Sequence, residues 1–442
     1  MANIGFISLG CAKNQVDCER MMFRVQEAGF TVQPDVVGCD VVVINTCGFI
    51  DSAKSEAIDH ILQMGQLKQQ GLIGKILVTG CLSQRYQKQV LQELPEVDGV
   101  LGTGSYDRIA EAVQQLLSEQ TVERFDSIDE PEVETGRILT TPEHYAFIKI
   151  AEGCDNRCSY CIIPFLRGKF RSRSMDDVLY EARLLADSGV KELIVVAQDT
   201  SRYGTDFPEH KRLLPELLRQ LCAIEGFHWI RIHYLYPDEI DDELIQVIAS
   251  EPKIVKYLDI PIQHCSDKIL KLMNRRGDGA YLRALFSKLR REIPGLVLRT
   301  SVITGLPGEG EEEFAELCEF LKEQKLERVG AFPFSPEEGT PAAEMDYPDS
   351  EIAQKRAQSI EILQSDIMDE YNGAMIGRTV ELLVDGYDEE FEQFYGRTYA
   401  DSPDIDGRVW IASEEPVTEG TFVQVCIDAV IDGDLSGYLL EE

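Results

Sequence analysis

The chain has 442 residues, a formal net charge of -35 and a hydrophobic fraction of 44%; this length predicts two or three domains, and the negative charge disfavours nucleic acid as a substrate because phosphate would be repelled. The most apolar stretch, residues 36–50, is too short to cross a bilayer and contains Asp40. No signal-peptide pattern opens the sequence, so we expect a cytoplasmic protein without membrane contact, in which the twelve cysteines serve metal ligation or catalysis rather than disulfides.

Three cysteines follow predicted strands in the first hundred residues, where short apolar runs at residues 4–9, 41–45 and 76–79 alternate with helical patterns. Cys11, Cys47 and Cys81 each lie just beyond one of these strands. Ligands of an open parallel sheet gather outside the carboxyl ends of its strands, so the three thiolates are expected to converge on one metal centre. Three ligands rather than four indicate an iron-sulfur cluster with an open iron that can hold an external sulfur species. The alternative is that each cysteine is a small buried hydrophobic residue.

The remainder of the chain predicts two further domains after a polar, acid-rich linker at about residues 118–144. Strand-like runs alternate with helical segments in the pattern of a partial (β/α)6 barrel, at residues 146–151, 192–197, 229–235, 257–262, 297–303 and 328–334. A helix predicted at residues 350–371 leads to a small antiparallel β-barrel with strands at residues 379–384, 391–397, 409–411 and 422–430. The predicted fold class is α/β, with an open parallel-sheet domain at residues 2–117, the partial barrel at 140–371 and the small barrel at 372–442.

The most specific motif is a C-x-x-x-C-x-x-C loop formed by Cys154, Cys158 and Cys161, directly after the first strand of the predicted barrel. Three thiolates on a four-iron cluster leave one iron open, and the amino and carboxylate groups of S-adenosylmethionine (SAM) can chelate that iron. A structural zinc site is the alternative, but it requires a fourth ligand that no adjacent Cys or His supplies. The loop therefore predicts a radical SAM centre.

Other polar residues lie where barrel strands end and are candidates for holding SAM, although no SAM contact is assigned to any of them. They are Gln198-Asp199-Thr200, Gln263-His264-Cys265 and the run Gly305 to Glu309. Basic residues that follow the cluster loop could meet a carboxylate or form a solvated face: Arg167, Lys169, Arg171 and Arg173. No role is assigned to the remaining cysteines, Cys18, Cys39, Cys222, Cys265, Cys318 and Cys426.

Taken together, the three strand-end cysteines, the run E-G-C-D-N-R-C-S-Y-C-I-I-P and the small C-terminal barrel resemble the radical SAM methylthiotransferases over almost the whole chain. V-A-Q-D-T-S-R-Y-G, P-I-Q-H-C-S-D and Y-A-D-S-P-D-I-D-G resemble the RimO branch, which modifies small ribosomal subunit protein twelve. The resemblance implies two [4Fe-4S] clusters, one on Cys11, Cys47 and Cys81 and the other on Cys154, Cys158 and Cys161. It also implies that one SAM generates a radical, that another donates a methyl group, and that a target aspartate becomes 3-methylthioaspartate. An electron donor is a further implied partner.

The charge of the C-terminal segment bears on whether the substrate is a protein or an RNA. From residue 372 onward its fixed positive charges are Arg378, Arg397 and Arg408, and acids dominate, including Glu389, Glu390, Asp404, Asp406, Glu414 and Glu415. The tail resembles a TRAM domain, a module associated with RNA, yet so acidic a surface gains no affinity by releasing phosphate counterions and suits a basic protein instead. A tRNA methylthiotransferase is the near alternative, a non-catalytic iron-sulfur protein is a more distant one, and the charge could also serve solubility.

Overall fold

The computed structural model describes residues 1–131, 133–413 and 415–440. It contains a parallel sheet, a second parallel sheet curved into a partial barrel, and a small closed barrel, which confirms the predicted fold class. Glu414 and the predicted end of the third domain at residue 442 lie outside the described residues. Within those residues, no helix is both long enough and apolar enough to cross a membrane.

The first sheet has six parallel strands in the order β2-β1-β3-β4-β5-β6. Its strands are β1 (Asn3–Ser8), β2 (Thr31–Gln33), β3 (Val41–Thr46), β4 (Lys75–Gly80), β5 (Gly99–Leu101) and β6 (Val122–Arg124), and its helices are α1 (Ala12–Glu27), α2 (Asp51–Gln69), α3 (Cys81–Tyr86), α4 (Lys88–Glu93) and α5 (Ile109–Leu117). The sheet extends past residue 117 into the segment predicted to be a linker, because β6 adds an edge strand. Three residues are too few for an alternating pattern to reveal that strand.

The second sheet has six parallel strands in the order β14-β13-β12-β11-β10-β7. Helices connect successive strands along the chain, as expected of strand-helix units. A two-stranded ribbon, β8-β9, stands beside the sheet. The strands are β7 (Tyr145–Lys149), β8 (Ala151–Glu152), β9 (Arg171–Ser172), β10 (Glu192–Val196), β11 (Trp229–Ile232), β12 (Ile254–Asp259), β13 (Val297–Thr304) and β14 (Arg328–Pro333). The helices are α6 (Ile163–Arg167), α7 (Met175–Asp187), α8 (Leu214–Cys222), α9 (Asp242–Ser250), α10 (Asp267–Leu272), α11 (Gly279–Glu292), α12 (Glu311–Gln324) and α13 (Ser350–Gly373).

The N-terminal domain packs on both edges of this partial barrel. On the β7 edge, Val16 of α1 joins a buried cluster with inward-facing side chains of the barrel, which are Tyr145, Phe147, Ile194 and Val196. Beyond β14, the buried carboxylate of Glu337 pairs with Lys54 at 3.0 Å and with Arg85. Because alternate residues of β7 and β10 pack outward against the helices, α1 must contact the inner face of the sheet.

The third sheet is a closed five-stranded barrel in the order β15-β16-β17-β19-β18. Its strands are β15 (Thr379–Asp388), β16 (Gln393–Arg397), β17 (Val409–Ala412), β18 (Phe422–Ile431) and β19 (Asp434–Leu439). The last strand was not predicted from the sequence, although Asp432-Gly433 forms the turn before it. Phe391, predicted to lie in a strand, lies instead in the β15-β16 turn and is exposed.

A loop of the small barrel, residues 398–406, enters the large barrel from the amino-terminal ends of its strands and reaches as far as His233, which follows β11. Ser402 contacts His233 at 3.1 Å, Asp401 pairs with Arg328 at 2.7 Å, and Asp406 accepts a hydrogen bond from Tyr257 at 2.6 Å. Asp406 is therefore not part of the acidic surface to which we assigned it, because its charge is used inside this joint. The loop closes the end of the barrel opposite the cysteines.

Candidate active site

The three strand-end cysteines converge at the point where the order of the first sheet reverses. Strands β1 and β3 are neighbours, whereas β2 lies on the other side of β1, and a crevice at such a switch point is where open α/β sheets bind ligands. Gly10 has φ +92°, and a Cβ added there would lie 2.7 Å from the Cβ of Cys47. Gly80 has φ +98°, and an added Cβ would lie 2.3 Å from the carbonyl oxygen of Thr46. Glycine at both turns allows the strand ends to approach this closely.

The thiols of this first trio lie within electrostatic reach of one another. Burial raises the pKa of Cys47 to about 11, and the thiols of Cys81 and Cys11 raise it further. Burial also raises the pKa of Cys81, whereas the guanidinium of Arg167 opposes that rise. A metal centre that binds these thiols must displace their protons, and its positive charge would favour the thiolate forms.

The second trio lies on a loop that the β8-β9 ribbon closes at its base. The amide of Cys154 donates to the carbonyl of Gly168 at 3.1 Å, and the amide of Cys161 donates to the carbonyl of Cys158 at 3.0 Å. Burial raises the pKa of Cys154 to about 11, with Cys158 among the further causes. Burial and Cys158 together raise the pKa of Cys161 as well. The structure thus brings these three thiols together.

An arginine contacts one thiol of each trio. Arg167 donates from Nε to Sγ of Cys81 at 3.4 Å, and Arg275 donates to Sγ of Cys158 at 3.7 Å and to the hydroxyl of Tyr160 at 3.0 Å. Hydrogen bonds to cluster sulfurs are among the features that set cluster reduction potentials. Arg167 stood out in the sequence only as part of a basic run, and Arg275 was missed because more than a hundred residues separate it from the cysteine it contacts.

The segment that follows the second trio packs against Cys81 of the first trio, across the joint between the first two domains. Helix α6 begins two residues after Cys161; Leu166 of this helix and Ile162 just before it pack against Cys81. Arg167 ends that helix and pairs with Asp17 at 2.5 Å and with Glu152 at 3.2 Å. The site therefore contains cysteines from both domains.

A buried charge network supports this joint. Lys149 on β7 pairs with Asp17 of α1 and with Glu152 at 2.8 Å, and all three side chains are at least nine-tenths buried. Burial alone would raise the pKa of Glu152, but Lys149 and Arg167 together lower it well below its ordinary value. These residues were not singled out in the sequence, because neither local spacing nor periodicity marks a network of this kind.

The donor set fits iron-sulfur clusters. No group of three His, Cys, Asp or Glu side chains in the described part of the chain is arranged around a single metal ion. A four-iron cluster does not require such an arrangement, since each thiolate binds a different iron. Six thiols in two trios, each with an arginine donor, therefore match two clusters in ligand type and number.

Orphaned polar atoms next to the second trio match a polar cofactor. Among the described residues, Gln198 Oε1 and Thr200 Oγ1 are buried without a hydrogen-bond partner at the carboxyl end of β10. Asp199, between them, accepts hydrogen bonds from Asn156 at 2.7 Å and from Ser201 at 2.5 Å. Buried groups without partners are uncommon in native proteins, so SAM, with its hydroxyl and amino groups, is the kind of ligand that these atoms fit.

Two other sets of candidate residues have structural partners. His264 is fully buried, accepts a hydrogen bond from the amide of Ser266 at 3.0 Å and lies 3.5 Å from Glu309, while its Nε2 and the Oε2 of Glu309 have no hydrogen-bond partner among the described residues. Glu309 in turn pairs with Arg356 at 2.8 Å, so this run holds α13 against the barrel. In the basic run, Arg173 is buried beside Glu181 at 2.7 Å, and only Lys169 is fully exposed.

Most of each of the three sheets lies in a region that matches a known protein family or domain. The Radical SAM superfamily matches residues 148–321, the Uncharacterized protein family UPF0004 matches residues 3–102, and the TRAM domain matches residues 376–440. A solved structure of the radical SAM methyltransferase TsrM from Kitasatospora setae, with tryptophan and a SAM analogue bound, shares the fold. Its TM-score is 0.56 at 12% identity, covering 88% of this chain and 79% of that one. Fold and site thus define a radical SAM enzyme.

Curated relatives show which family of radical SAM enzymes contains this chain. The ribosomal protein uS12 methylthiotransferase RimO of Lachnoclostridium phytofermentans is 48% identical over 98% of this chain and 99% of its own length. RimO of Caldanaerobacter subterraneus subsp. tengcongensis is 46% identical over 99% of this chain and 100% of its own length. The chain belongs to the RimO family of radical SAM methylthiotransferases. Its cofactors are SAM and [4Fe-4S] clusters, as the cysteine motifs indicated.

Proposed function

We propose that this protein converts an aspartate of ribosomal protein uS12 to its 3-methylthio derivative. The observation that carries the proposal is the meeting of two cysteine trios at one interdomain joint, where Arg167 follows one trio in sequence and contacts the other in space. The relatives that this chain matches over nearly its full length are named uS12 methylthiotransferases. Together, SAM and the clusters supply the one-electron chemistry that replaces a C–H bond of the β-carbon by a C–S bond.

The roles of the cysteines follow from this proposal. Cys154, Cys158 and Cys161 hold the cluster that binds SAM, next to the orphaned acceptors of Gln198 and Thr200. The other trio, Cys11, Cys47 and Cys81, holds the cluster that carries the sulfur. We also propose domain limits at residues 2–117, 140–371 and 372–442, although β6 extends the first sheet to Arg124.

The surface of the small barrel supports a basic protein as the substrate. Glu389, Glu390 and Glu415 are exposed, whereas Arg397 is buried in ion pairs with Glu192 and Asp385. The surface is thus poorer in positive charge than the sequence count suggested, and complementarity of charge would speed encounter with a basic partner. A tRNA substrate is not favoured, because such a surface repels phosphate. We further infer a cytoplasmic location from twelve free cysteines, and an electron donor as a second partner.

The decisive experiment offers the reconstituted enzyme purified uS12 or tRNA, with SAM and a reductant. We expect uS12 to gain the mass of one methylthio group at an aspartate and tRNA to stay unmodified. The joint variant Cys154→Ala, Cys158→Ala and Cys161→Ala should retain about half of the iron and should form no 5'-deoxyadenosine. Modified tRNA with unmodified uS12 would contradict the proposal, and full iron retention in the joint variant would contradict the ligand assignment.

A further inference from the structure

A buried lysine lies next to the first cysteine trio. Lys13 belongs to the first turn of α1, two residues after Cys11, on the helix that contacts the inner face of the barrel. Its Nζ lies 3.4 Å from the ring centroid of Tyr234, which follows strand β11 of the other domain. The side chain is 8% exposed. Lys13 therefore places a buried positive charge in the space where the inner face of the barrel meets the first trio.

The surroundings of Lys13 differ from those of the other lysine buried at this joint. Lys149 pairs with the carboxylates of Asp17 and Glu152. Lys13, within the described part of the chain, forms no ion pair with a carboxylate, and its charge is met by the side chain of Tyr234 through the ring face and a hydrogen bond. Burial of an ammonium group is costly unless anions or hydrogen-bond acceptors compensate it, and one neutral aromatic side chain satisfies only part of what three ammonium donors require. Lys13 is thus suited to an anion supplied from outside the chain.

The residue beneath Lys13 is itself strained. Tyr234 has φ +60°, a left-handed conformation that is unfavourable for an aromatic residue. Its carbonyl accepts a hydrogen bond from the amide of Thr200 at 3.0 Å, and its amide donates to Asp259 at 3.3 Å. Strained residues held in this way cluster at ligand sites. The ring is therefore fixed in position at the carboxyl end of β11, beside the residues proposed to contact SAM.

We propose that Lys13 binds the carboxylate of the target aspartate and so selects an acidic side chain for methylthiolation. This inference rests on the proposed function. The carboxyl carbon of aspartate is bonded directly to the β-carbon that reacts, so a cation near Cys11 would place that β-carbon beside the trio proposed to carry the sulfur. SAM also has a carboxylate, and its proposed contacts at the end of β10 lie beside Tyr234, so binding of SAM has to be measured separately from binding of the substrate.

Binding of uS12 in the absence of reductant tests this selection without relying on turnover. Two forms of uS12 are compared, one with the target aspartate and one with asparagine at that position, against the wild-type enzyme and Lys13→Gln. We expect Lys13→Gln to weaken binding of the aspartate form on the order of 10- to 100-fold, as for a lost hydrogen bond between charged groups. Binding of the asparagine form should change by less than about twofold. Lys13→Arg should keep part of the preference for aspartate.

Controls separate this role from a structural one. Lys75→Gln also removes a lysine charge from the N-terminal domain, but Lys75 pairs with Glu119 at the far end of the sheet, so both uS12 forms should bind as they do to the wild type. Iron content should be unchanged in Lys13→Gln. Equal weakening of both uS12 forms, or weakened SAM binding with an unchanged preference for aspartate, would overturn the inference. Wild-type enzyme that binds uS12 but never methylthiolates it would instead overturn the proposed function.

Discussion

At the scale of single residues, Arg275 adds a buried positive charge to the three thiols of the proposed second cluster site. Its guanidinium contacts Cys158 and Tyr160 and packs over the ring of Tyr236 at 4.4 Å. It also donates to the carbonyl of Pro261 at 2.6 Å, so several contacts fix its direction. A buried positive charge beside a cluster stabilises the reduced form, which carries one more electron than the oxidised form.

We therefore expect Arg275→Gln to lower the midpoint potential of this cluster, and Arg275→Lys to lower it less. The measurement is a redox titration followed by electron paramagnetic resonance. It uses the background Cys11→Ala, Cys47→Ala and Cys81→Ala, so that only one cluster contributes. An unchanged potential in Arg275→Gln, with the iron retained, would show that the arginine serves packing alone.

At the scale of elements, the turn from β1 to α1 positions the first trio. Gly10→Ala would force a Cβ to within 2.7 Å of the Cβ of Cys47 and would strain a residue at φ +92°. We expect this variant to lose about half of the iron, that of the N-terminal cluster, while Cys154, Cys158 and Cys161 keep theirs. Iron assay after reconstitution provides the measurement.

Gly29→Ala is the matched control for this turn. Gly29 has φ +88°, nearly the same backbone conformation, but an added Cβ there meets no atom within 4 Å. Its substitution should cost about 1 kcal/mol in backbone strain and should leave the iron content unchanged. Equal iron loss in both variants would mean that backbone strain, and not the approach of the two strand ends, accounts for the effect.

These elements also show what the sequence could and could not predict. The convergence of Cys11, Cys47 and Cys81 was predictable, because each follows an apolar run and the carboxyl ends of parallel strands meet at one edge of a sheet. The packing of α1 against the inner face of the barrel was not predictable, because the buried cluster that contains Val16 and Phe147 joins segments 131 residues apart. The role of the loop at residues 398–406 was not predictable either, because its partners on the barrel strands are distant in sequence. In the sequence its acids resemble a solvent-exposed charge cluster. The structure shows that they pair with an arginine and a tyrosine on the barrel strands.

At the scale of the whole molecule, buried ion pairs join the parts of the chain. Glu181 of α7 pairs with Arg20 of the first domain at 3.2 Å and with Arg173 of the second at 2.7 Å. Arg137, from the segment between the domains, lies 3.2 Å from the same carboxylate. One carboxylate thus connects three segments, and removing one partner of such a site leaves buried charge uncompensated.

The pH dependence of the free energy of unfolding should reveal how much the ionised Glu181 stabilises this joint. Burial alone would raise the pKa of Glu181, but Arg137, Arg173 and Arg20 lower it from 4.5 to about 2. A lowered folded-state pKa means that the stabilisation is complete above pH 4.5 and is lost as the pH falls toward 2. We expect Glu181→Gln to destabilise the apoprotein by about 3 kcal/mol at pH 6, and this difference to shrink steadily as the pH is lowered from 4.5. Urea unfolding at a series of pH values measures it.

Glu111→Gln is the control for this prediction. Arg108 and Arg124 lower the pKa of Glu111 through hydrogen bonds, but Glu111 is exposed and belongs to one domain only. Water and salt screen such a pair, so its removal should leave the stability and its pH dependence almost unchanged. A difference between Glu181→Gln and the wild type that stays constant down to pH 3 would mean that Glu181 has the same pKa in the folded and unfolded protein. The domain joint would then depend on the packing of α1 against the barrel, and not on the carboxylate shared by its three arginines.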